Sequence, residues 1–124
     1  MSSNSLLSIS NLTVEFGGLR ALDDVFINLE SNQVVGLIGP NGAGKTTLFN
    51  AICGLVKPTS GTLSLNGEAR DWPAIHDLAS LGISRTLQGV GLFPDLTVAE
   101  NVMIGAQKFA RTGLISAGFG RNKK

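Results

Sequence analysis

The segment from Gly39 to Thr47, GPNGAGKTT, constrains this chain more than any other part of it. It fits the pattern G-x-x-x-x-G-K-[ST], in which the backbone N–H groups of a glycine-rich loop surround nucleotide phosphates. The apolar run at residues 34–38, VVGLI, predicts a buried parallel strand before the loop. Residues 47–53 follow with apolar side chains on one helical face. Because the motif requires a strand, a loop and a helix in this order, the sequence predicts binding of a nucleoside triphosphate.

Four positions of the loop have an expected role in binding phosphate or Mg²⁺. Gly42 and Gly44 permit backbone angles that a side chain would hinder and let the chain approach the phosphates closely. Lys45 is expected to reach the β- and γ-phosphates, and the Thr46 hydroxyl is expected to bind Mg²⁺. The alternative is a glycine-rich turn at the start of an ordinary core helix, which the flanking strand and helix patterns disfavour.

Composition limits the other possibilities. The chain has 124 residues, enough for one domain, with 43% hydrophobic and only 15% charged residues. Part of the surface is therefore expected to be apolar and to face a partner. A net charge of +1 gives no indication of nucleic-acid binding. The single cysteine, Cys53, is expected to be a packed thiol. The sequence contains no signal peptide and no run of about 20 apolar residues, which predicts a cytoplasmic location.

Further elements follow from alternation and from turn residues. A capping pattern at Thr97 and Glu100 starts the last predicted helix. The first strand is expected to be either regular or interrupted by an irregularity near Asn11, and His76 is expected to be a surface residue without a role. The predicted elements are strands at 7–16, 25–29, 61–65 and 83–87, a short helix at 73–81 and a helix from 98 to about 109.

These motifs together resemble the ATP-binding domain of ABC transporters. The segments on which this resemblance rests are the loop GPNGAGKTT, the residues KPTSG at 57–61, RTLQ at 85–88 and LFPDLTVAENV at 92–102. The similarity runs from about residue 7 to residue 107 without a gap. Within the family, FGGL at 16–19 and GISRT at 82–86 are most similar to the subunits that power branched-chain amino acid import. The resemblance implies an α/β fold, a P-loop NTPase core with an antiparallel β-subdomain, truncated inside the helical subdomain.

The resemblance also implies roles for individual residues. Phe16 occupies the position of an aromatic side chain that stacks on adenine; from spacing alone it would be a core aromatic. Gln88 matches the glutamine that helps to hold Mg²⁺ and the attacking water. The implied catalytic residues are Lys45 and Gln88, and the implied metal ligands are Thr46 and Gln88. The implied ATP-binding residues are Phe16, Gly39, Asn41, Gly42, Ala43, Gly44, Lys45, Thr46 and Thr47.

Several parts of the family's hydrolytic site have no match in this sequence. These are an apolar strand ending in Asp-Glu, a Ser-Gly-Gly-Gln signature and a later histidine. Residues 1–124 are therefore interpreted as the N-terminal portion of such a domain, through its glutamine loop, and are predicted not to hydrolyse ATP alone. The implied partners are a transmembrane permease, through the region around Gln88 to Pro94, and a second ABC domain in a head-to-tail dimer. The implied location is the inner face of the cell membrane.

Two other functions stay open at this point. A different P-loop protein, such as a small-molecule kinase or a GTPase, shares the loop, but residues 88–102 and the lack of an Asn-Lys-x-Asp motif argue against it. A module that binds ATP without hydrolysing it would keep the loop and lack the missing motifs.

Overall fold

The computed structural model describes residues 5–86 and 92–104, and the chain divides into two compact units between Arg85 and Thr86. The first unit contains a four-stranded antiparallel sheet in the order β2-β1-β3-β4. This sheet is the antiparallel β-subdomain that the resemblance implies. The strands are β1 (Ser5–Phe16), β2 (Leu19–Glu30), β3 (Ser60–Leu65) and β4 (Glu68–Arg70), and helix α1 (Lys45–Ile52) and a 3-10 turn (Ile75–Asp77) complete the unit.

A bulge in β1 places its apolar residues on one face. Asn11 has a φ of 55°, and its side-chain amide donates a hydrogen bond of 2.7 Å to Asp24. The pairing with β2 shifts between Ile9 and Leu12. Without the extra residue, Ile9 and Leu12 would point to opposite faces because side chains alternate along a strand. With it, Ile9, Leu12 and Val14 are each at most 1% exposed, so of the two alternatives for this strand the one with an irregularity near Asn11 is correct.

Helix α1 packs against the bulged strand, and this packing fixes the position at which the helix starts. Leu48 and Ala51 are 3% and 0% exposed and share the hydrophobic cluster with Leu12 of β1 and Leu22 of β2. Burial of one leucine side chain contributes about 1.5–3 kcal/mol. Cys53, at the end of the helix, is buried as a free thiol, as predicted. This packing sets the position of the loop that precedes the helix.

The predicted strand before the loop does not form. Residues 33–40 carry no strand, and Val34 and Ile38 are 100% and 97% exposed, so the prediction of a buried parallel strand is wrong for this structure. The reason is that a strand must exchange hydrogen bonds with a neighbour, and no strand of the described sheet pairs with this segment. The run instead borders an apolar cavity of about 530 Å³ that residues of β2 and α1 also line.

The remaining elements agree with the sequence to different degrees. Turns lie at 17–18, 31–32 and 66–67, and the short strand β4 has no counterpart among the predicted elements. The helix predicted at 73–81 is reduced to one 3-10 turn, within which His76 is exposed as expected. Residues 83–86 form no strand, and Leu87 lies outside the described residues.

The second unit contains a turn followed by helix α2 (Val98–Ile104). Glu100 accepts hydrogen bonds of 2.8 Å from both the backbone N–H and the hydroxyl of Thr97, which confirms the predicted cap. These bonds lower the pKa of Glu100, the backbone bond having the larger effect. Asn101 holds the turn through hydrogen bonds with the backbone of Phe93, Leu96 and Thr97. The predicted extension of the helix towards Phe109 lies outside the described residues.

Candidate functional site

The glycine-rich loop forms a compact turn directly before α1. The backbone N–H of Ala43 donates to the carbonyl of Pro40 at 3.2 Å, and that of Leu48 donates to the carbonyl of Gly44 at 2.9 Å. The second bond begins the helical pattern, so the helix starts at Lys45. The loop and the helix are therefore continuous, in the order that the motif predicts.

Gly44 brings the loop against strand β2. Its φ is 90°, and a Cβ at this position would lie 2.6 Å from the carbonyl oxygen of Ala21 and 2.7 Å from Cδ2 of Leu22. Both distances are well below the ~3.5–4.0 Å of ordinary contact between heavy atoms. Glycine is required here for its backbone angle and for the close approach.

The start of α1 concentrates positive electrostatic potential. The helix begins without a side-chain cap, because its N-cap residue is Gly44, and its first turn contains no acidic residue. The N–H groups of a first helical turn have no partners within the helix, and together with the helix dipole they attract anions. Thr46 and Asn41 are exposed, so their polar groups are accessible from solvent.

Lys45 is the only charged residue between Gly39 and Thr47. Its ammonium group donates hydrogen bonds to the carbonyl oxygens of Gly39 and of Pro40, the second at 2.6 Å. The side chain thus folds back over the loop that precedes it. A phosphate oxygen carries more negative charge than a carbonyl, so it would compete for the same donor.

Phe16 stands at the same end of the sheet as the loop. It pairs with Leu19 where the β1–β2 hairpin closes, while Val14 pairs with Leu22, the residue next to Gly44. Val14 and Phe16 are two residues apart along β1, a distance of about 7 Å in a strand. Phe16 therefore lies near the contact between Leu22 and Gly44. Its side chain is 48% exposed, so it is not the core aromatic that its spacing alone would suggest.

Ion pairs hold the hairpin end that carries Phe16. Arg20 contacts Glu15 and Asp23, each at 2.9 Å. The hydrogen bond to Glu15 and the charge of Asp23 raise the pKa of Arg20. All three side chains are at least one-third exposed, so the pairs contribute little to stability and mainly orient the turn.

Arg85 connects the end of the first unit to helix α1. Its guanidinium donates a partly buried hydrogen bond of 2.6 Å to the side-chain carbonyl of Asn50 and lies 6.0 Å from the ring centre of Phe49. The periodicity of apolar residues could not predict this contact, because Asn50 does not lie on the buried face of α1 and Arg85 lies outside the helix. Gln88, the other predicted catalytic residue, lies outside the described residues.

Comparison with known proteins supports the resemblance. A protein-family model described as ABC transporter matches residues 22–123. The high-affinity branched-chain amino acid transport ATP-binding protein BraF of Pseudomonas aeruginosa is 41% identical over 117 residues, which are 94% of this chain and 46% of that protein. The arabinose import ATP-binding protein AraG 2 of Burkholderia cenocepacia is 43% identical over 110 residues, or 89% of this chain and 21% of that protein.

The fold is also similar to a solved structure. The crystal structure of the ADP conformation of an ATP-binding cassette of an ABC transporter superposes with a TM-score of 0.71 at 32% identity. The match covers 94% of this chain and 46% of the cassette. The chain thus spans about half the length of the transport ATP-binding protein BraF and of this cassette.

Proposed function

The chain belongs to the ABC transporter family, and from that premise we propose that it binds ATP with Mg²⁺ through the loop from Gly39 to Thr47. In this proposal residues 1–124 act as the N-terminal portion of an ABC-type nucleotide-binding domain. The observation that supports it best is the loop geometry, in which an uncapped helix start and the ammonium of Lys45 come together on a backbone that Gly44 holds against β2.

The residues at the loop suit a triphosphate. Lys45 would exchange its two carbonyl acceptors for phosphate oxygens, and the backbone N–H groups at Gly42 to Thr46 would surround the β-phosphate. The described residues contain no cluster of three or more His, Cys, Asp or Glu side chains able to hold a metal ion. Mg²⁺ commonly takes few protein ligands beside phosphate oxygens and water, so the exposed hydroxyl of Thr46, with Gln88, fits that requirement.

Nucleotide titration by calorimetry tests this proposal. We expect Mg-ATP to bind the wild-type chain and Lys45→Ala to remove most of the affinity, because the loop then has no charge to offer the phosphates. Lys57→Ala is the matched control, since Lys57 is exposed and lies beyond α1. Equal affinities of the Lys45 variant and the wild type would refute the assignment of the loop.

We further propose that the intact protein energises import of branched-chain amino acids through a transmembrane permease. Support comes from the alignment with BraF over 94% of this chain, wider than that with the arabinose-related protein. No helix within residues 5–86 and 92–104 is long and apolar enough to cross a bilayer. Deleting the gene should lower uptake of labelled leucine and leave arabinose uptake unchanged; the reverse result would assign a sugar as the cargo.

The permease contact is proposed at the turn before α2. Leu92 and Phe93 are 78% and 59% exposed, although both are large apolar side chains. Large exposed apolar groups gathered at one place mark interaction surfaces. We propose that this turn, with the region from Gln88, faces the cytoplasmic side of the permease at the inner membrane surface. A second ABC domain would complete the nucleotide site in a head-to-tail dimer.

The 124-residue chain by itself is proposed to be inactive in hydrolysis. Phosphoryl transfer depends on orienting the attacking water and on neutralising the charge that spreads over the γ-phosphate. Lys45, Thr46 and Gln88 offer charge and metal contacts, but the sequence lacks the family's Asp-Glu strand and later histidine. A steady-state phosphate-release assay tests this proposal. Turnover that disappears with Lys45→Ala would show that another residue serves as the base.

A further inference from the structure

The run at residues 34–38, VVGLI, is exposed, yet its side chains alternate as they do along a strand. Val34 and Ile38 form an outer pair and are 100% and 97% exposed. Val35 and Leu37 form an inner pair, are 53% and 40% exposed, and line the apolar cavity beside β2 and α1. Successive side chains of a strand point to opposite faces, so this alternation is typical of an extended segment with one inner and one outer face.

The backbone of the run has no partner. Within the part of the chain that the structure describes, the N–H and C=O groups of residues 34–38 make no hydrogen bonds. Unpaired backbone of this kind is a template for pairing with another chain, and proteins usually protect such an edge with charged residues or proline. Residues 31–39 contain neither. The run is therefore open to a strand from a second molecule.

The apolar surface around the run has the size of a small interface. Six side chains that are each at least 40% exposed form it: Phe26, Val34, Val35, Leu37, Ile38 and Phe49. Their exposed fractions equal about four fully exposed side chains, which is on the order of 250–500 Å² of apolar surface. A specific interface of about 1,200–2,000 Å² is a little over half apolar, so two such patches supply most of what a small dimer needs.

The run is also complementary to itself, because Gly36 lies at its centre. In antiparallel pairing about Gly36, Val34 of one copy faces Ile38 of the other, and the inner side chains pair in the same way. A Cβ on Gly36 would meet nothing within 4 Å, so the backbone is accessible at this point. We propose that two copies of this chain associate by antiparallel pairing of this run about a two-fold axis at Gly36. The same residues are used on both copies, so the contact closes as a dimer.

Disulfide crosslinking of the full 124-residue chain tests this register. The Cα atoms of the two Gly36 residues would lie about 4.5–5.5 Å apart, which a disulfide can bridge, so Gly36→Cys should crosslink under an added oxidant. Val34→Cys is the matched control. Its two copies would lie at least about 13 Å apart, so it should not crosslink although Val34 is fully exposed. Both variants also carry Cys53→Ala, which removes the buried native thiol.

Charged variants test the same pairing without a covalent bond. Val34→Lys combined with Ile38→Lys places like charges opposite each other, whereas Val34→Lys combined with Ile38→Glu places opposite charges there. Light scattering over a range of concentrations should show the wild type and the Lys/Glu variant passing from the mass of one chain to that of two. The Lys/Lys variant should keep the mass of one chain. The changed residues are almost fully exposed, and thermal melting followed by Trp72 fluorescence checks that each variant is folded.

The possible results decide between this proposal and its alternatives. A wild type that keeps the mass of one chain at every concentration would overturn it, and slow amide hydrogen exchange at residues 34–38 in that sample would show that the same chain covers the run. Equal crosslinking of both cysteine variants, or assemblies that grow beyond two copies, would show unspecific apolar association instead. A monomeric Lys/Glu variant beside a dimeric wild type would refute the antiparallel register. Lys45→Ala should associate as the wild type does, so this proposal and the proposed nucleotide site stand or fall separately.

Discussion

Gly44→Ala should destabilise the protein more than Gly42→Ala, although both residues belong to the same loop. The φ angles are 90° for Gly44 and 84° for Gly42, so alanine is strained at both, by about 1–2 kcal/mol. The two sites differ in the free space available to an added Cβ atom. A Cβ on Gly42 would meet nothing within 4 Å, whereas a Cβ on Gly44 would overlap Ala21 and Leu22 of β2. Such overpacking adds about 1–3 kcal/mol. The expected losses are therefore about 1–2 kcal/mol for Gly42→Ala and about 2–5 kcal/mol for Gly44→Ala.

Urea unfolding followed by Trp72 fluorescence measures this difference without any nucleotide. Trp72 is the only tryptophan, is partly buried and donates a hydrogen bond of 3.3 Å to the carbonyl of Gly61, so it reports on the same unit as the loop. The extra loss in Gly44→Ala isolates the contact between loop and strand, because the backbone strain is common to both variants. If the two variants unfold at the same urea concentration, the loop does not rest on β2 in solution, and Gly44 does not hold the loop in the geometry described above.

Three further outcomes are expected. Phe16→Ala should weaken ATP and GTP binding alike by ~1–3 kcal/mol, because stacking is tolerant of the base; unchanged calorimetric affinities in a folded sample would make Phe16 purely structural. Since hydrogen bonds from Thr97 lower the pKa of Glu100, its carboxylate stabilises α2 at pH values above its unfolded pKa, and this contribution is lost as the pH falls through the lower folded pKa. Circular dichroism should detect that loss in the wild type but not in Glu100→Gln. A cysteine replacing Leu92 in the intact transporter should crosslink to the permease, with exposed Thr62 as the control site that should not.

Much of the first unit could be predicted because its signals are local. The hairpin turn at Gly17 and Gly18 and the order of loop and helix each depend on residues a few positions apart, and the same holds for the cap at Thr97 in the second unit. The bulge near Asn11 was also predictable, since the apolar residues Ile9 and Leu12 are out of phase for a regular strand. The contact between Arg85 and Asn50 joins residues 35 positions apart and has no periodic signal, so only the folded structure reveals it.

The segment at 34–38 shows the opposite case, in which a strong local pattern does not determine the structure. Its apolar β-branched composition is typical of a strand buried on both faces, yet Val34 and Ile38 are almost fully exposed. Composition sets the tendency of a segment to form a strand. The backbone hydrogen bonds of a strand, however, are made with a second strand, so a segment of this composition becomes a strand only where a neighbouring strand is present.

The loop keeps its shape although the strand before it is absent, because its support comes from other elements. Gly44 rests on β2, Leu48 anchors α1 in the core, and the ammonium of Lys45 closes the turn over Gly39. These contacts all lie within the first unit, and none of them involves the run at 34–38. The nucleotide site and the exposed run at 34–38 are thus separable in the fold. It follows that a charged substitution at the fully exposed Val34 should leave the ATP affinity of this chain unchanged, whereas the same affinity should respond to any change at Gly44.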